Sequence, residues 1–309
     1  MSERRTGQTA RYREGAGYDH DHFPYSALPQ RQPLKWPDGA RVAFCVYLYL
    51  EYLELDPPAG TVRDPRYGGA LGSHFPDYLN YSHREYGNRI GVFRVLDALD
   101  RHGIRATVAA NAMLCERYPR LIEECTRRGF EIAAHGISAT QMITSRMSEE
   151  EERSVIERSL SAVAALTGER PQGWFGQDFS ESERTPRLLA EAGLSYVADW
   201  PNDDQPYAMN YGRPLISMPN QAEWDDTQLM AIRRVSPPRW RDVIVDAFDY
   251  LHEEASPSGS VFTLGIHPWL AGQAHRIRYL DEALARIVER DRVWQTTAGE
   301  VADWYRANR

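Results

Sequence analysis

The sequence predicts an α/β fold wound into a β/α barrel over residues 39–309, preceded by an extended N-terminal arm over residues 1–38. Apolar runs of strand length alternate with amphipathic stretches and short joints from residue 41 to residue 307, the pattern of a parallel sheet with helical crossovers. The first run, 41–50, is apolar at nearly every position from Val42 to Leu48, as in a strand buried on both faces. A chain of 309 residues accommodates one barrel, a fold that ordinarily takes about 250 residues plus extensions.

The arm is rich in Arg, Tyr, Pro and Asp and has neither helical nor alternating period. Its Asp19-His20-Asp21-His22 run carries metal-binding residue types, but adjacent polar residues in an unpatterned stretch are more often a solvated turn than a ligand set. Strand 41–50 ends on Glu51. Residues 57–83 carry Pro, Gly and Tyr without periodicity, and long ordered connections of this kind are usually lids or interface segments. Helix 86–102 places Val92, Leu96 and Leu99 on one face and stops at Gly103. Strand 106–110 and helix 116–128 follow, with Gly129 as the cap. Residues 130–135 form a third strand, ending on His135 and Gly136.

The alternation continues through helix 148–167, strand 172–175, helix 183–192 and strand 195–199. An irregular stretch, 200–213, precedes strand 215–218, and a second one precedes helix 239–254. Strand 260–266 runs into His267, and helix 276–289, strand 293–296 and helix 298–307 close the chain. There is no internal repeat.

Composition narrows the function. A formal charge of -8 supplies no basic face for nucleic acid, which leaves a small-molecule substrate. Lys35 is the single lysine among 36 basic residues, a mark of an arginine-favouring genome. Cys45, Cys115 and Cys125 are odd in number, lack CxxC spacing and lie in apolar or helical segments, so they read as reduced core thiols. No apolar run reaches the roughly 20 residues of a membrane helix, and residues 1–14 are polar. A cytoplasmic protein without membrane contact is expected.

Polar groups collect at the predicted strand ends: Glu51, His135, Gln177 with Asp178, Asp199 with Asp203 and Asp204, and His267. That edge of a β/α fold is where active sites are built. In Gly265-Ile266-His267-Pro268-Trp269 a strand delivers a histidine to a proline-fixed turn, and an ordinary imidazole pKa near 6.5 suits general acid work. Trp174, Phe175, Trp200 and Trp269 stand beside these groups as a possible flat wall for a planar ring. Arg276 and Arg278 could orient a carboxylate or carbonyl by forked hydrogen bonds.

From residue 35 to residue 309, the segments Glu131-Ile132-Ala133-Ala134-His135, Arg170-Pro171-Gln172-Gly173-Trp174, Asn202-Asp203-Asp204-Gln205-Pro206-Tyr207 and His267-Pro268-Trp269 occur in an order that resembles the polysaccharide deacetylase superfamily. Together with Glu85-Tyr86-Gly87-Asn88-Arg89 they are similar to its allantoinase-like branch. The resemblance implies a distorted β/α barrel, a hydrolase of carbon-nitrogen bonds other than peptide bonds, and a homo-oligomer. Metal-dependent members of the superfamily place two adjacent aspartates after the first strand and a histidine pair four residues apart. Here Leu50 and Glu51 stand at the first motif, and His135 with Ala139 at the second.

Glu51 and His135 alone fall short of the three or four ligands that zinc ordinarily takes. Gln177 or Asp178 could complete the set if zinc or another divalent metal binds. The expectation is therefore metal-independent hydrolysis of a small amide, cyclic imide or ureide, with Glu51 or His135 as base and His267 as acid to the leaving nitrogen. Trp174, Gln177, Asp178, Trp200, Trp269 and Arg276 are expected to bind the substrate. The alternatives are a zinc-dependent deacetylase of N-acetylated sugars and a catalytically silent small-molecule-binding member.

Overall fold

Nine strands make one curled sheet in the computed structural model, which describes residues 20–59, 61, 76–212, 215–254 and 258–309. They are β1 (Val42–Leu50), β2 (Ala106–Ala110), β3 (Glu131–Ala134), β4 (Gly173–Trp174), β5 (Tyr196–Val197), β6 (Tyr207–Ala208), β7 (Ile216–Ser217), β8 (Ser260–Ile266) and β9 (Val293–Gln295). Their order is β6-β7-β5-β4-β3-β2-β1-β8, with β9 paired to the start of β1. Every ladder is parallel except β6 with β7.

The helices that cover the sheet are α1 (Tyr78–Tyr86), α2 (Val92–Arg101), α3 (Ala112–Arg117), α4 (Pro119–Arg127), α5 (Glu149–Thr167), α6 (Thr185–Glu191), α7 (Pro237–Glu254), α8 (Pro268–Ala271), α9 (Ile277–Val288) and α10 (Ala298–Ala307). Ser148 and Glu151 close a capping box at the start of α5, which fixes where that helix begins. Residues 78–83, expected to be irregular, are helical as part of α1; most of the rest of 57–83 lies outside the described residues, as do residues 1–19 of the arm.

Strand alternation sorts β1 into two faces. Phe44, Val46, Leu48 and Leu50 join the layer formed with α2, α7 and α9, whereas Ala43, Cys45, Tyr47 and Tyr49 pack inward with Phe175, Tyr196 and Val261. Leu50 therefore faces the helices. The residue that shares the inner face with Glu51 is Tyr49.

The sheet does not close by a strand ladder. Between β8 and the β6–β7 end of the sheet the two irregular stretches bridge the opening: Val261 donates its N–H to the Asp204 carbonyl at 2.8 Å, the Gln221 N–H reaches Thr263 Oγ1 at 3.1 Å, and the Trp224 indole N–H reaches the Thr263 carbonyl at 2.6 Å. This is the distorted barrel the sequence predicts. Its described arm is packed down, with Phe23, Leu34 and Trp36 buried and the Trp36 indole donating to the Ser260 carbonyl at 2.8 Å.

Cys45, Cys115 and Cys125 are buried free thiols, as expected. Among the described residues, no helix is long and apolar enough to cross a membrane.

Candidate active site

Glu51 follows β1 on its inward face and is almost completely buried. Its Oε1 accepts from Gln177 Nε2 at 2.5 Å and its Oε2 accepts from Arg84 Nη1 at 2.8 Å, while Asn88 Nδ2 donates to its carbonyl at 2.9 Å. Burial disfavours its charge, but the contact with His135 and the Arg84 and His267 cations outweigh it and hold the carboxyl well below the usual range. Glu51 is an engaged anion and a weak base.

His135 ends β3 with 1% exposure. Its Nδ1 lies 2.9 Å from the Phe175 carbonyl, and a carbonyl only accepts, so Nδ1 carries the proton. Nε2 lies 3.5 Å from Glu51 Oε1, with no conventional hydrogen bond among the described residues. Asn111 steadies this corner: its amide donates to the His135 carbonyl at 2.6 Å and to Gln177 Oε1 at 3.3 Å.

His267 leaves β8 and stacks on Tyr49, with ring centroids 4.4 Å apart and planes within 3°. Asp226 receives both its backbone N–H, at 2.8 Å, and its Nδ1–H, at 2.7 Å. Burial would lower its pKa, but Asp226, Asp225 and Glu51 dominate and raise it to about 9. At neutral pH His267 is a cation whose Nε2–H is free of the Asp226 bond.

A family model described as polysaccharide deacetylase matches residues 85–197. In structure the chain is similar to PuuE allantoinase, at 26% identity with a TM-score of 0.78 over 88% of this chain and 93% of that one. It is also similar to a "probable polysaccharide deacetylase" from Pseudomonas aeruginosa PAO1, at 25% identity with a TM-score of 0.79 over 90% and 95% of the two chains. In sequence and in fold the chain is similar to the polysaccharide deacetylase family. A curated member, the peptidoglycan deacetylase of Helicobacter pylori, is 24% identical over 284 residues, 81% of this chain and 93% of that protein.

Against the metal-dependent pattern of the family, Glu51 and His135 do not fit as a metal site in this chain. Gln177, offered as a third ligand, turns an N–H donor to Glu51, and the Arg84 guanidinium occupies the other carboxylate oxygen. The group with ligand spacing is instead Asp225, Asp226 and His267, buried and with ligand atoms within 4.8 Å of one another, so this trio could bind a metal. To do so His267 would have to give up the Nδ1 proton that it shares with Asp226.

Other expected site residues separate. Trp269 lines the cleft beside Glu51 with Asn88, Ala139 and Arg84, whose guanidinium lies 4.1 Å over its ring. Trp174 does not reach the site: it points outward and packs against Ile156, Leu160 and Leu189 of α5 and α6, because its two-residue strand has the opposite phase, and Phe175 takes the inner face. Trp200 packs on His20 and Phe23 of the arm. Asp178 sits at a left-handed φ of 52° in the turn after β4. Arg276 caps α9, half-buried, and donates a long 3.5 Å bond to the Leu270 carbonyl.

Arg84, Asp225 and Asp226 are functional neighbours that strand-end reading misses. Arg84 lies in the short joint between the 57–83 connection and helix 86–102, and the acidic pair lies in the second irregular stretch; only the run of two carboxylates beside Trp224 hinted at a role.

Proposed function

We propose that the protein hydrolyses a carbon-nitrogen bond in a small cyclic ureide or imide without a catalytic metal. The observation that carries this reading is the state of Glu51, whose two oxygens are taken by Gln177 and Arg84, with Ala139 in place of a second histidine. Similarity to PuuE allantoinase supports the substrate class.

In this mechanism His135 Nε2 takes a proton from water as the water oxygen bonds to the ring carbonyl carbon. Glu51 Oε1, 3.5 Å away, stabilises the imidazolium that forms. His267 then gives its Nε2 proton to the ring nitrogen as the carbon-nitrogen bond breaks, leaving a carboxylic acid and a free amide or urea nitrogen. Tyr49 holds the His267 ring and Trp269 forms an apolar side of the cleft.

A panel of hydantoins, cyclic imides, allantoin and an N-acetylglucosamine oligomer, offered to metal-stripped and zinc-loaded protein, tests this. Ring opening by stripped protein is the expected result, with His135→Ala and His267→Ala each lowering kcat by about 10²–10⁴.

A second reading, metal-dependent removal of N-acetyl groups from a glycan, draws on the H. pylori relative and on the Asp225, Asp226 and His267 trio. Activity confined to the sugar and abolished by chelation would replace the first reading with the second.

A further inference from the structure

Asp199 follows β5 at the same rim of the sheet, 6% exposed and within electrostatic reach of His135 and Tyr49. Its Oδ1 accepts the Gly176 N–H at 2.6 Å. Glu181 closes the turn that Gly176 opens and interacts electrostatically with Asp199, and among the described residues Asp199 Oδ2 and Glu181 Oε1 meet no conventional donor. Two ionised carboxylates buried as neighbours repel each other, and a proton held by one of the pair relieves that repulsion and gives the other a donor.

The pair stands at both ends of a turn that resists its own conformation. Between Gly176 and Glu181 the backbone takes left-handed φ at two successive non-glycine residues, Asp178 at 52° and Phe179 at 58°, a strain that persists only where the surroundings over-determine it. The turn is tight as well: a Cβ on Gly176 would lie 2.6 Å from the Ser180 carbonyl and 2.8 Å from Asp199 Oδ2. Into this turn runs Phe175, whose carbonyl fixes the His135 tautomer, and within it is Gln177, whose amide holds Glu51.

We propose that Asp199 and Glu181 share one proton, and that this acid-carboxylate hydrogen bond clasps turn 176–181 and so positions His135 and Glu51. Both are positioning residues. The groups facing the pair are His135 and Tyr49 from the sheet, Glu152 of α5, itself bound by Ser182, Thr185 and Arg184, the Trp200 indole N–H, and Tyr211. Burial and mutual repulsion raise the affinity of the pair for its proton.

The sign follows. The folded pair binds its proton more tightly than the unfolded chain does, so stability falls as pH rises from the ordinary carboxyl range to the raised value, and the clasp opens above it. Asp199→Asn preserves the shape: its amide oxygen accepts from Gly176 and its amide N–H donates to Glu181, with no shared proton needed.

The test follows the Trp200 indole and Gly176 amide resonances, and the thermal midpoint, from pH 5 to pH 9 in wild type, Asp199→Asn and Glu181→Gln. The expected result is a titration of both resonances in wild type that is absent from both variants, with the midpoint of wild type falling relative to theirs as pH rises. Wild type and both variants sharing one pH dependence would overturn the shared proton, and Glu181→Gln keeps the test alive if Asp199→Asn does not fold. These readouts need no substrate, so they succeed or fail separately from the proposed hydrolysis. On a substrate that wild type opens, Asp199→Asn should retain neutral-pH turnover within a few-fold and lose the alkaline decline due to the clasp, whereas an Asp199→Asn profile identical to wild type would remove the pair from positioning.

Discussion

His267 carries the clearest pH consequence at the scale of single residues. Its pKa is raised to about 9 by Asp226 and its neighbours against the pull of burial. A histidine raised in the fold contributes stability that is complete below its unfolded value near 6.5 and is lost as pH climbs through the folded value. The window is therefore about pH 6.5 to 9, and the contribution is about 3 kcal/mol. Asp226→Asn should remove most of that slope in urea titrations at successive pH values, and should bring the alkaline loss of hydrolysis down toward neutrality because the acid deprotonates earlier. Arg84 supplies a second case. It and Glu51 are both nearly buried and 2.8 Å apart, and breaking such a pair leaves an uncompensated buried charge. Arg84→Gln should cost about 3 kcal/mol by urea denaturation, while the double variant with Glu51→Gln should cost less than the sum. Glu51, His135 and His267 were legible because each ends a predicted strand. Arg84 and Asp226 were not, since nothing local in the joint before a helix or in an irregular stretch says which side chain will fold back onto a strand end. Trp174 was misplaced for a related reason: in a two-residue strand, one step of phase exchanges the inner and outer faces.

At the scale of elements, the helical run from Tyr78 to Arg101 is interrupted by a π turn, Gly87–Gly91, and this interruption places the cleft. A π turn inserts a residue and shifts the faces on either side of it. On one side Arg84 and Asn88 reach Glu51. The same turn lets the helix lie directly on α8, with Gly87 against Trp269 and Gly91 against Pro268. A Cβ at Gly91 would come within 2.1 Å of the Pro268 carbonyl oxygen, a backbone atom that cannot swing aside. Gly91→Ala should therefore destabilise by about 1–3 kcal/mol. It should also lower hydrolysis more than a thermal midpoint shift of that size explains, because α8 carries Trp269 and follows directly on His267. A variant with wild-type stability would show that the contact yields easily. Helix 86–102 is readable from its apolar face, but the extra residue of a π turn leaves no mark in periodicity over so short a stretch.

For the whole molecule, the alternation of strands and helices made the parallel sheet legible, and with it the rim where the histidines gather. What was not legible is how the barrel ends. Strands β4 to β7 are two residues long each, too short to carry a period, and closure falls to side chains and loop backbone between β8 and the β6–β7 end of the sheet. Those bridges are specific. The Trp224 ring stacks on Phe262, with centroids 5.1 Å apart and planes 5° apart, while its indole N–H binds the Thr263 carbonyl at 2.6 Å and its own carbonyl accepts from the Trp240 indole at 3.0 Å. Asp225 and Asp226 follow immediately, so the segment that seals the gap also delivers the partner of His267. Trp224→Phe keeps the stacking surface and removes one hydrogen bond, leaving the Thr263 carbonyl without its indole donor. The expected loss is about 1–3 kcal/mol, with faster hydrogen exchange across β8 and across residues 221–226 than across β2 and β3, which the gap does not touch. Uniform acceleration over all strands would mean that the bridge stabilises the fold without sealing the barrel. Acceleration confined to the gap, accompanied by a His267 titration shifted toward neutrality, would tie closure of the sheet to the protonation of the acid.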